Sequence, residues 1–337
     1  MEWNDGFSAL YELMKVDPVT WYESGSFDFV SGSVKHIDGG LLESADLTMT
    51  ENPGECWVRV FLKAKQEAGG ARTPIFTGLT SVPERTGDGT RITYRVECYS
   101  VLKPLEDILT PRGYYAPAGA EGALLVRDLL SVGAAPVVVD GESPALLDPI
   151  VSEDSTTRLD MAWMILDAIG WRLRVSGDGT IHVCEAASEP VALFDTMEND
   201  IIENATTDAQ DWFSVPNCIR VVSGERYVEY KDDSDSQVSV DARKAQRGGS
   251  GEIWLSDSAS GIGDKESLAE FAMRKLKEAQ SPARKVTYAR RYRPDVLVSD
   301  IVTLHLPVIG IDGQFKITSQ TIELSHGART SEEVVQV

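Results

Sequence analysis

Carboxylates and histidines are the side chains here that could most readily do acid–base or metal chemistry, with 53 Asp and Glu and four His among 337 residues. A pair such as Asp140 and Glu142 carries no weight, because with this many carboxylates some pair lies at glycosidase separation by chance. An isolated histidine more often makes a structural hydrogen bond than it binds a ligand. All four stand singly in strand contexts: His36, His182, His305 and His326. Neither residue type defines a catalytic site.

Motifs of the common enzyme classes are also absent from the sequence. It has no Gly-x-Ser-x-Gly elbow, no glycine-rich phosphate loop with Gly-Lys-Ser/Thr and no His-Glu-x-x-His pair. The acidic run Asp232, Asp233 and Asp235 lacks the glycine and bidentate glutamate of a calcium loop, so we interpret it as a solvated loop. The cysteines have no CxxC spacing and are interpreted as buried free thiols: Cys56, Cys98, Cys184 and Cys218. We expect no enzyme activity, catalytic residue, metal ligand or cofactor.

Composition indicates an ordinary globular protein of two or three domains, with 42% hydrophobic and 25% charged residues. A formal charge of -21 argues against a surface that grips nucleic acid, because phosphate contacts need Lys and Arg patches. No apolar run approaches the ~20 residues that cross a bilayer, and the first residues do not resemble a signal peptide. We therefore expect a protein without a membrane-spanning segment, made in a cytoplasm.

The first third of the chain reads mainly as strands. Residues 4–15 are the exception, because Phe7, Leu10 and Met14 recur at helical spacing after Asn4, a candidate N-cap. This helix would either pack on the protein's own body or dock on a neighbouring subunit. β-Branched and aromatic runs then alternate with glycine and proline turns over residues 44–101. They predict a small antiparallel barrel or sandwich.

Helical spacing returns in the middle of the chain. One short helix is predicted around residues 124–130, and a stronger one follows a cap at Ser155 or Thr156 and ends at Gly170. Alternation directly after it predicts a β-hairpin over residues 171–183. The middle of the chain should therefore hold an α+β module.

The last third begins with a strand region at residues 212–230 and an acidic, glycine-rich loop over 231–251 that we expect to be mobile. A helix over 264–280, capped by Asp264, precedes further strands over 284–337. Apolar positions change parity within the segment that contains Thr318 and Thr321. A strand cannot do this without exposing its apolar side chains, so we expect a bulge or bend between these two residues.

The order of these elements resembles bacteriophage tail hub proteins, the baseplate hub components of contractile and long-tailed phages and related injection systems. Four segments carry the resemblance: "IFTGLTSVPERTGDGTRITYRVECYSVLKPLEDIL", "LDMAWMILDAIGWRLRVSGDGTIHV", "LVSDIVTLHLP" and "DGQFKITSQTIELSHG". One position departs from the family, whose second strand in this region usually carries a Gly-Asp pair. This chain has Ser299 and Asp300 there.

The resemblance implies an α+β, mainly β fold, with two small antiparallel β-barrels and an inserted helix-plus-hairpin module. Strands of residues 44–101 would form the first barrel, and those of 212–230 with 284–337 the second. The expected divisions are an N-terminal helical segment, a first barrel, an α+β insertion and a second barrel with its loop and helix: 1–22, 23–110, 111–196 and 197–337.

The resemblance also implies a structural role in the virion tail, assembled in the host bacterial cytoplasm. Three copies would form a ring that adapts a six-fold tail tube to a three-fold spike or fibre and lines the DNA channel. Expected partners are two further copies, a tail tube or distal tail protein, a tape measure protein, and a spike or fibre protein, with DNA passing unbound. A β-rich hydrolase or a tail-tip carbohydrate-binding protein remains the alternative. The second would need exposed aromatics, whereas Trp163 and Trp171 occupy predicted core positions.

Overall fold

A computed structural model confirms an α+β, mainly β fold. It describes the chain apart from residues 1–2, 4–5, 67–68, 88, 90, 196–200, 211, 260–261, 263–265 and 282–283; for residues 201–205 and 210 it describes the backbone alone. The described strands form two β-lobes joined by an α+β insertion, and a smaller sheet with a helix packed on it is inserted in sequence between strands of the second lobe.

The first β-lobe is formed by strands that follow one another in sequence. They are β1 (Ser8–Val16), β2 (Glu23–Phe27), β3 (Phe29–Ile37), β4 (Ser44–Met49), β5 (Trp57–Gln66), β6 (Gly69–Thr80), β7 (Glu84–Gly87) and β8 (Ile92–Ser100). Their hydrogen-bonded order is β3-β4-β8-β6-β5-β1-β2, with β7 on β8. Apolar and polar residues alternate along these strands. Leu47 and Val96 therefore pair on the buried face of the sheet, while Asp46 points to solvent. The strands predicted within 44–101 are confirmed.

The predicted N-terminal helix is wrong, because residues 8–16 form β1. This strand pairs antiparallel with β5 along its whole length, from Ser8 opposite Lys65 to Val16 opposite Trp57. Ala9 and Leu13 are buried while Leu10, which the helical pattern placed on the apolar face, is half exposed. A long-range partner thus overrides a short helical pattern. The proposed cap Asn4 lies outside the described residues.

The insertion packs two helices against a small sheet. Its elements are β9 (Tyr115–Ala116), α1 (Gly122–Leu130), β10 (Val137–Asp140), β11 (Ile150–Val151), α2 (Arg158–Ile169), β12 (Trp171–Val175) and β13 (Ile181–Glu185). Helix α2 begins at a capping box of Thr157 and Asp160, one residue after the predicted caps, and ends at Gly170, whose φ is 70°. The hairpin β12–β13 is confirmed, and β10 adds to it in parallel.

The second β-lobe is assembled from distant segments of the chain. Its strands are β14 (Pro190–Asp195), β15 (Ile201–Gln210), β19 (Arg284–Arg291), β20 (Ile301–Leu306), β21 (Ile311–Glu323) and β22 (Arg329–Gln336). The hydrogen-bonded order is β15-β19-β22-β21-β20-β14, antiparallel except for the parallel pair β14–β20. Phe194 of β14 lies 6.4 Å from the ring of Tyr288 in β19. The sheet therefore curls around its own buried core.

Strand β21 belongs to both lobes. Its first half pairs with β20 and its second half with β3 of the first lobe, from Ser319 opposite Ile37 to Glu323 opposite Ser33. Its register against β22 shifts between Ile317 and Ser319, at Thr318. The predicted bulge is confirmed at the start of its interval, and it carries the strand from one lobe to the other. We call the β21–β3 pairing the seam.

Strands of residues 212–230 do not join the second lobe, contrary to the prediction. Instead β16 (Cys218–Ser223), β17 (Arg226–Lys231) and β18 (Trp254–Ser258) form a separate sheet in the order β17-β16-β18, covered by α4 (Leu268–Gln280). The N-cap of α4 is Ser267 rather than Asp264, which lies outside the described residues. Within the predicted mobile loop the chain forms helix α3 (Val240–Arg247).

The base of that loop is tied down by one buried amide. The Asn217 side chain donates to the carbonyls of Val238 and Gly251, at 3.0 and 2.9 Å, and accepts from the backbone of Ile253 at 2.7 Å. Asp232 is also buried, accepting from the Ser234 backbone and from Gln280. The excursion is therefore closed by hydrogen bonds at both ends, and the interpretation of Asp232 as part of a solvated loop is wrong, because this residue is buried.

Candidate functional site

A row of buried polar side chains crosses the seam. In register across four neighbouring strands stand Tyr288 on β19, Glu332 on β22, Gln320 on β21 and His36 on β3. Residues directly opposite one another in a sheet project to the same face, so these side chains form one line through the interior. All four are buried. Backbone pairing between the two lobes therefore carries a line of buried polar side chains across the seam.

Glu332 of this row forms a buried ion pair with Arg290, which lies on β19 two residues after Tyr288. Arg290 donates twice to Glu332, through Nε at 2.8 Å and Nη2 at 2.5 Å, and Gln320 donates to the same carboxylate at 2.6 Å. The guanidinium also lies 4.6 Å from the ring centroid of Phe194. Neither charged side chain has more than 1% of its surface exposed. Because an unpaired charge would be costly at this depth, each partner requires the other.

His36 and Glu43 form the end of the row in the first lobe. His36 Nδ1 lies 3.2 Å from Glu43 Oε1, and both side chains are more than nine-tenths buried. Burial raises the pKa of the Glu43 carboxyl, with His36 acting in the opposite direction. The other ring nitrogen, His36 Nε2, is buried without a hydrogen-bond partner in the described part of the chain, and so is Gln320 Oε1.

The turn before β20 joins three parts of the protein. Ser299 adopts a left-handed backbone with φ 73°, and its hydroxyl donates to Asp38 of the first lobe. Its carbonyl accepts from Arg172 of the insertion at 2.9 Å, while the buried Asp300 pairs with Arg174 at 3.2 Å. A left-handed backbone favours glycine. This position therefore demands a conformation that glycine adopts most readily, and serine meets it while adding a side-chain contact.

The turn of the β12–β13 hairpin is held by the first lobe. Arg59 and Trp21 donate to the carbonyl of Asp178, at 2.7 and 2.9 Å, and Thr77 donates to the carbonyl of Gly177 at 2.8 Å. A Cβ on Gly177 would lie 2.1 Å from the Pro74 carbonyl oxygen, so only glycine permits this approach. The hairpin thus acts as a strut, with its strand fixed to the second lobe and its turn to the first.

A cavity of about 360 Å³ lies where the seam and the strut meet, lined by His36, Glu43, Tyr292, Arg174 and His182 among others. The charged side chains that line it have partners: Glu43 faces His36, Arg174 pairs with Asp300, and Asp178 accepts from the Ser176 hydroxyl and the Thr180 backbone. No group of three or more His, Cys, Asp and Glu that could hold a metal ion occurs among the residues that the structure describes. The arrangement holds domains in a fixed relation, and this is the role its geometry supports.

The structure places the residues considered from sequence as follows. His182 contacts Asp140 at 2.7 Å, His305 lies 3.6 Å from Asp312, and His326 contacts the Ala9 carbonyl at 3.1 Å. The cysteines are free thiols, of which Cys98 and Cys218 are buried as predicted and Cys56 and Cys184 are partly buried. Sequence reasoning missed the pairs His36–Glu43 and Arg290–Glu332. A charged residue within an apolar alternation, as at Arg290, is the signal that could have suggested the second.

Solved structures of phage tail proteins share this fold. A tail protein from Neisseria meningitidis matches with a TM-score of 0.69 and 16% identity, covering 97% of this chain and 96% of that one. The 43 kDa tail protein of prophage MuSo2 from Shewanella oneidensis matches with a TM-score of 0.68 and 12% identity, covering 96% and 97%. An Escherichia coli type VI secretion component similar to bacteriophage T4 tail proteins matches at 0.52 and 7%, covering 92% and 74%.

No protein-family model matches the sequence, and no curated protein is detectably similar to it. At these identities the likeness is one of fold, and it extends over almost the whole chain. The resemblance to phage tail proteins predicted from the sequence is thereby confirmed. None of the helices in the described ranges is long and apolar enough to cross a membrane.

Proposed function

We propose that this protein is a structural tail hub of a bacteriophage or a related injection system, and that three copies form a ring. The observation that supports this most is the match along nearly the full length to tail proteins, with both β-lobes included. A hub with two similar lobes per chain presents six lobes around a three-fold axis. Such a ring matches a six-fold tube on one face and a three-fold spike or fibre on the other.

Symmetry adaptation requires a fixed relation between the two lobes of each chain. The buried row across the seam and the strut between the lobes supply such rigidity. If the lobes rotated freely, the six positions of the ring would not be equivalent and contact with a tube would be lost on alternate lobes. The junction is therefore the part of the chain on which we expect the function to depend.

The proposed partners are two further copies, a tail tube or distal tail protein, a tape measure protein and a spike or fibre protein. The chain would be assembled into the tail in the host cytoplasm. A charge of -21 suits a ring through which DNA passes without adhering, because phosphates are repelled. We propose no enzymatic role. A sugar platform at the partly exposed Trp254 is also disfavoured, since Arg220 and Lys231 lie against its ring.

Light scattering on the purified protein, followed by particle imaging, tests this proposal. We expect a particle of three times the chain mass of 36.8 kDa, with a central hole and six similar lobes around it. Mixing with the tail tube and spike proteins encoded by the same phage should yield a complex with both. A chain that stays monomeric alone and in that mixture would contradict the proposed ring.

A further inference from the structure

The His36–Glu43 pair stands out in the junction because it is buried, titratable and incompletely hydrogen-bonded. His36 uses only Nδ1, on Glu43, while its Nε2 has no partner within the described residues. Gln320 stands directly opposite His36 across the seam, and its Oε1 is likewise without a partner there. Two orphan polar atoms thus occupy paired positions on the same face, where Cβ atoms are about 5 Å apart.

The orientation of Gln320 is fixed by its amide group. Nε2 donates to Glu332 at 2.6 Å and to the Val296 carbonyl at 3.3 Å, so Oε1 must be the atom left over. A carbonyl oxygen can only accept a hydrogen bond. If the imidazole carried its single proton on Nδ1, Nε2 would also be an acceptor, and neither of these two buried atoms could donate to the other.

We propose that His36 and Glu43 together hold one extra proton in the folded protein at neutral pH, and that this proton turns His36 Nε2 from a hydrogen-bond acceptor into an N–H donor. Two arrangements meet this condition. In one, an imidazolium faces the Glu43 carboxylate; in the other, a protonated Glu43 donates to Nδ1 and the neutral ring carries hydrogen on Nε2. Both leave the buried pair without net charge, which a low-dielectric interior favours.

No neighbouring charged group neutralises the His36–Glu43 pair in place of this proton. From the second lobe, Glu332 and Arg290 face the row and neutralise each other. From the insertion, Arg174 is paired with Asp300 and His182 with Asp140. In the loop after β3, Asp38 is paired with Lys316. Tyr292, directly after β19, is buried and stays neutral because burial raises its pKa. Asp178, which lines the same cavity, keeps its charge beside Ser176 and Thr180, whose hydrogen bonds lower its pKa against the opposing effect of burial.

The sign of the resulting pH dependence follows from linkage. In the unfolded chain, histidine releases its proton near pH 6.5 and glutamate near pH 4.3. Above about pH 6.5 the folded chain therefore holds one proton more than the unfolded chain, and stability falls as pH rises. The unfolding equilibrium constant should increase about tenfold per pH unit until the pair releases the proton. Below about pH 6.5 this contribution is fully present.

Urea unfolding between about pH 6.5 and about pH 9 tests the proposal on the single chain, independently of ring assembly. Burial also raises the pKa of the Cys56, Cys98 and Cys218 thiols, so wild type and Glu43→Gln should both lose some stability towards about pH 9. Wild type should show the stated slope in addition, while Glu43→Gln, which carries no titratable proton at this position, should keep only the thiol contribution. Asp140→Asn removes the partner of the more exposed His182 and should keep the wild-type slope. Equal slopes for wild type and Glu43→Gln would overturn the proposal.

Nitrogen NMR of the wild-type protein labelled at its four histidines gives a second readout that needs no variant. We expect one buried histidine with hydrogen on Nε2 at neutral pH, either as imidazolium or as the Nε2–H tautomer. A buried histidine that stays an Nδ1–H tautomer with bare Nε2 across the whole range would overturn the proposal, even if Glu43→Gln failed to fold.

Discussion

Both β-lobes bury an apolar core, but they take their strands from differently arranged parts of the chain. In the first lobe all strands come from residues 8–100, and most neighbours in the sheet are hairpins or near neighbours in sequence. In the second lobe the strands come from residues 190–210 and 284–336, with a separate sheet and helix between them. Its pairing β14–β20 joins segments more than 100 positions apart.

The two lobes also differ in the charged residues that they bury. The first lobe buries Arg59, whose partner Glu23 is partly exposed, and has His36 and Glu43 at its boundary, whereas the second lobe buries both members of an ion pair, Arg290 with Glu332. A buried pair has strict geometry, so it can specify which distant strands come together. We infer that the first lobe relies on local sequence for its register and that the second relies on this pair.

The largest effect should come from Glu332→Ala. It leaves Arg290 charged and buried without its partner, so the free energy of unfolding should fall by about 3–5 kcal/mol. Urea unfolding followed by circular dichroism measures it. The charge pair of the first lobe gives the matched comparison: Arg59 lies 2.6 Å from Glu23 but keeps Thr77 and Asp178 as acceptors.

Glu23→Ala should therefore destabilise by only about 1 kcal/mol. Glu229→Ala breaks the exposed pair with Arg220 and should change stability by less than about 1 kcal/mol. If Glu332→Ala proved as mild as these two variants, the contrast between the lobes would be wrong.

Local patterns predicted much of the fold. Alternation located the strands of residues 44–101, the change of parity located the bulge at Thr318, and glycine located the end of α2 at Gly170. Errors occurred where a distant partner decides. Residues 8–16 are a strand because β5 is available to pair with them, and β16 and β17 leave the second lobe because α4 covers them. No local pattern contains that information.

The next effect in size should come from Gly177→Ala at the turn of the strut. The new Cβ would meet the backbone of Pro74, which cannot move as a flexible side chain would, so the turn must lift away from the first lobe. We expect a loss of about 1–3 kcal/mol, measured by urea unfolding. Gly327→Ala is the control, since its Cβ would meet open space and its backbone is not left-handed. Equal stability of the two variants would show that the close contact between the hairpin turn and the first lobe does not stabilise the protein.

The junction itself was much less predictable than the fold. His36 and Glu43 are seven positions apart but belong to different strand ends, and Arg290 reaches Glu332 across 42 positions. Apart from the place of Arg290 within an apolar alternation, nothing in their local sequence distinguishes them from solvent-exposed charges. A second local clue was Ser299, where the sequence departs from the Gly-Asp pair expected from the resemblance, and the left-handed backbone there gives that departure a physical meaning.

Two variants of Ser299 should separate the contribution of its hydroxyl from that of its left-handed backbone. Ser299→Ala removes the hydroxyl that donates to Asp38 and keeps a side chain in the left-handed backbone, so it should destabilise by about 1 kcal/mol. Ser299→Gly removes the same hydroxyl but relieves a left-handed conformation that costs other residues about 1–2 kcal/mol. Its stability should therefore equal or exceed that of wild type, as thermal and urea unfolding can measure. If Ser299→Gly and Ser299→Ala destabilise the protein equally, the hydrogen bond to Asp38 alone favours serine at this position, and the left-handed backbone has no effect.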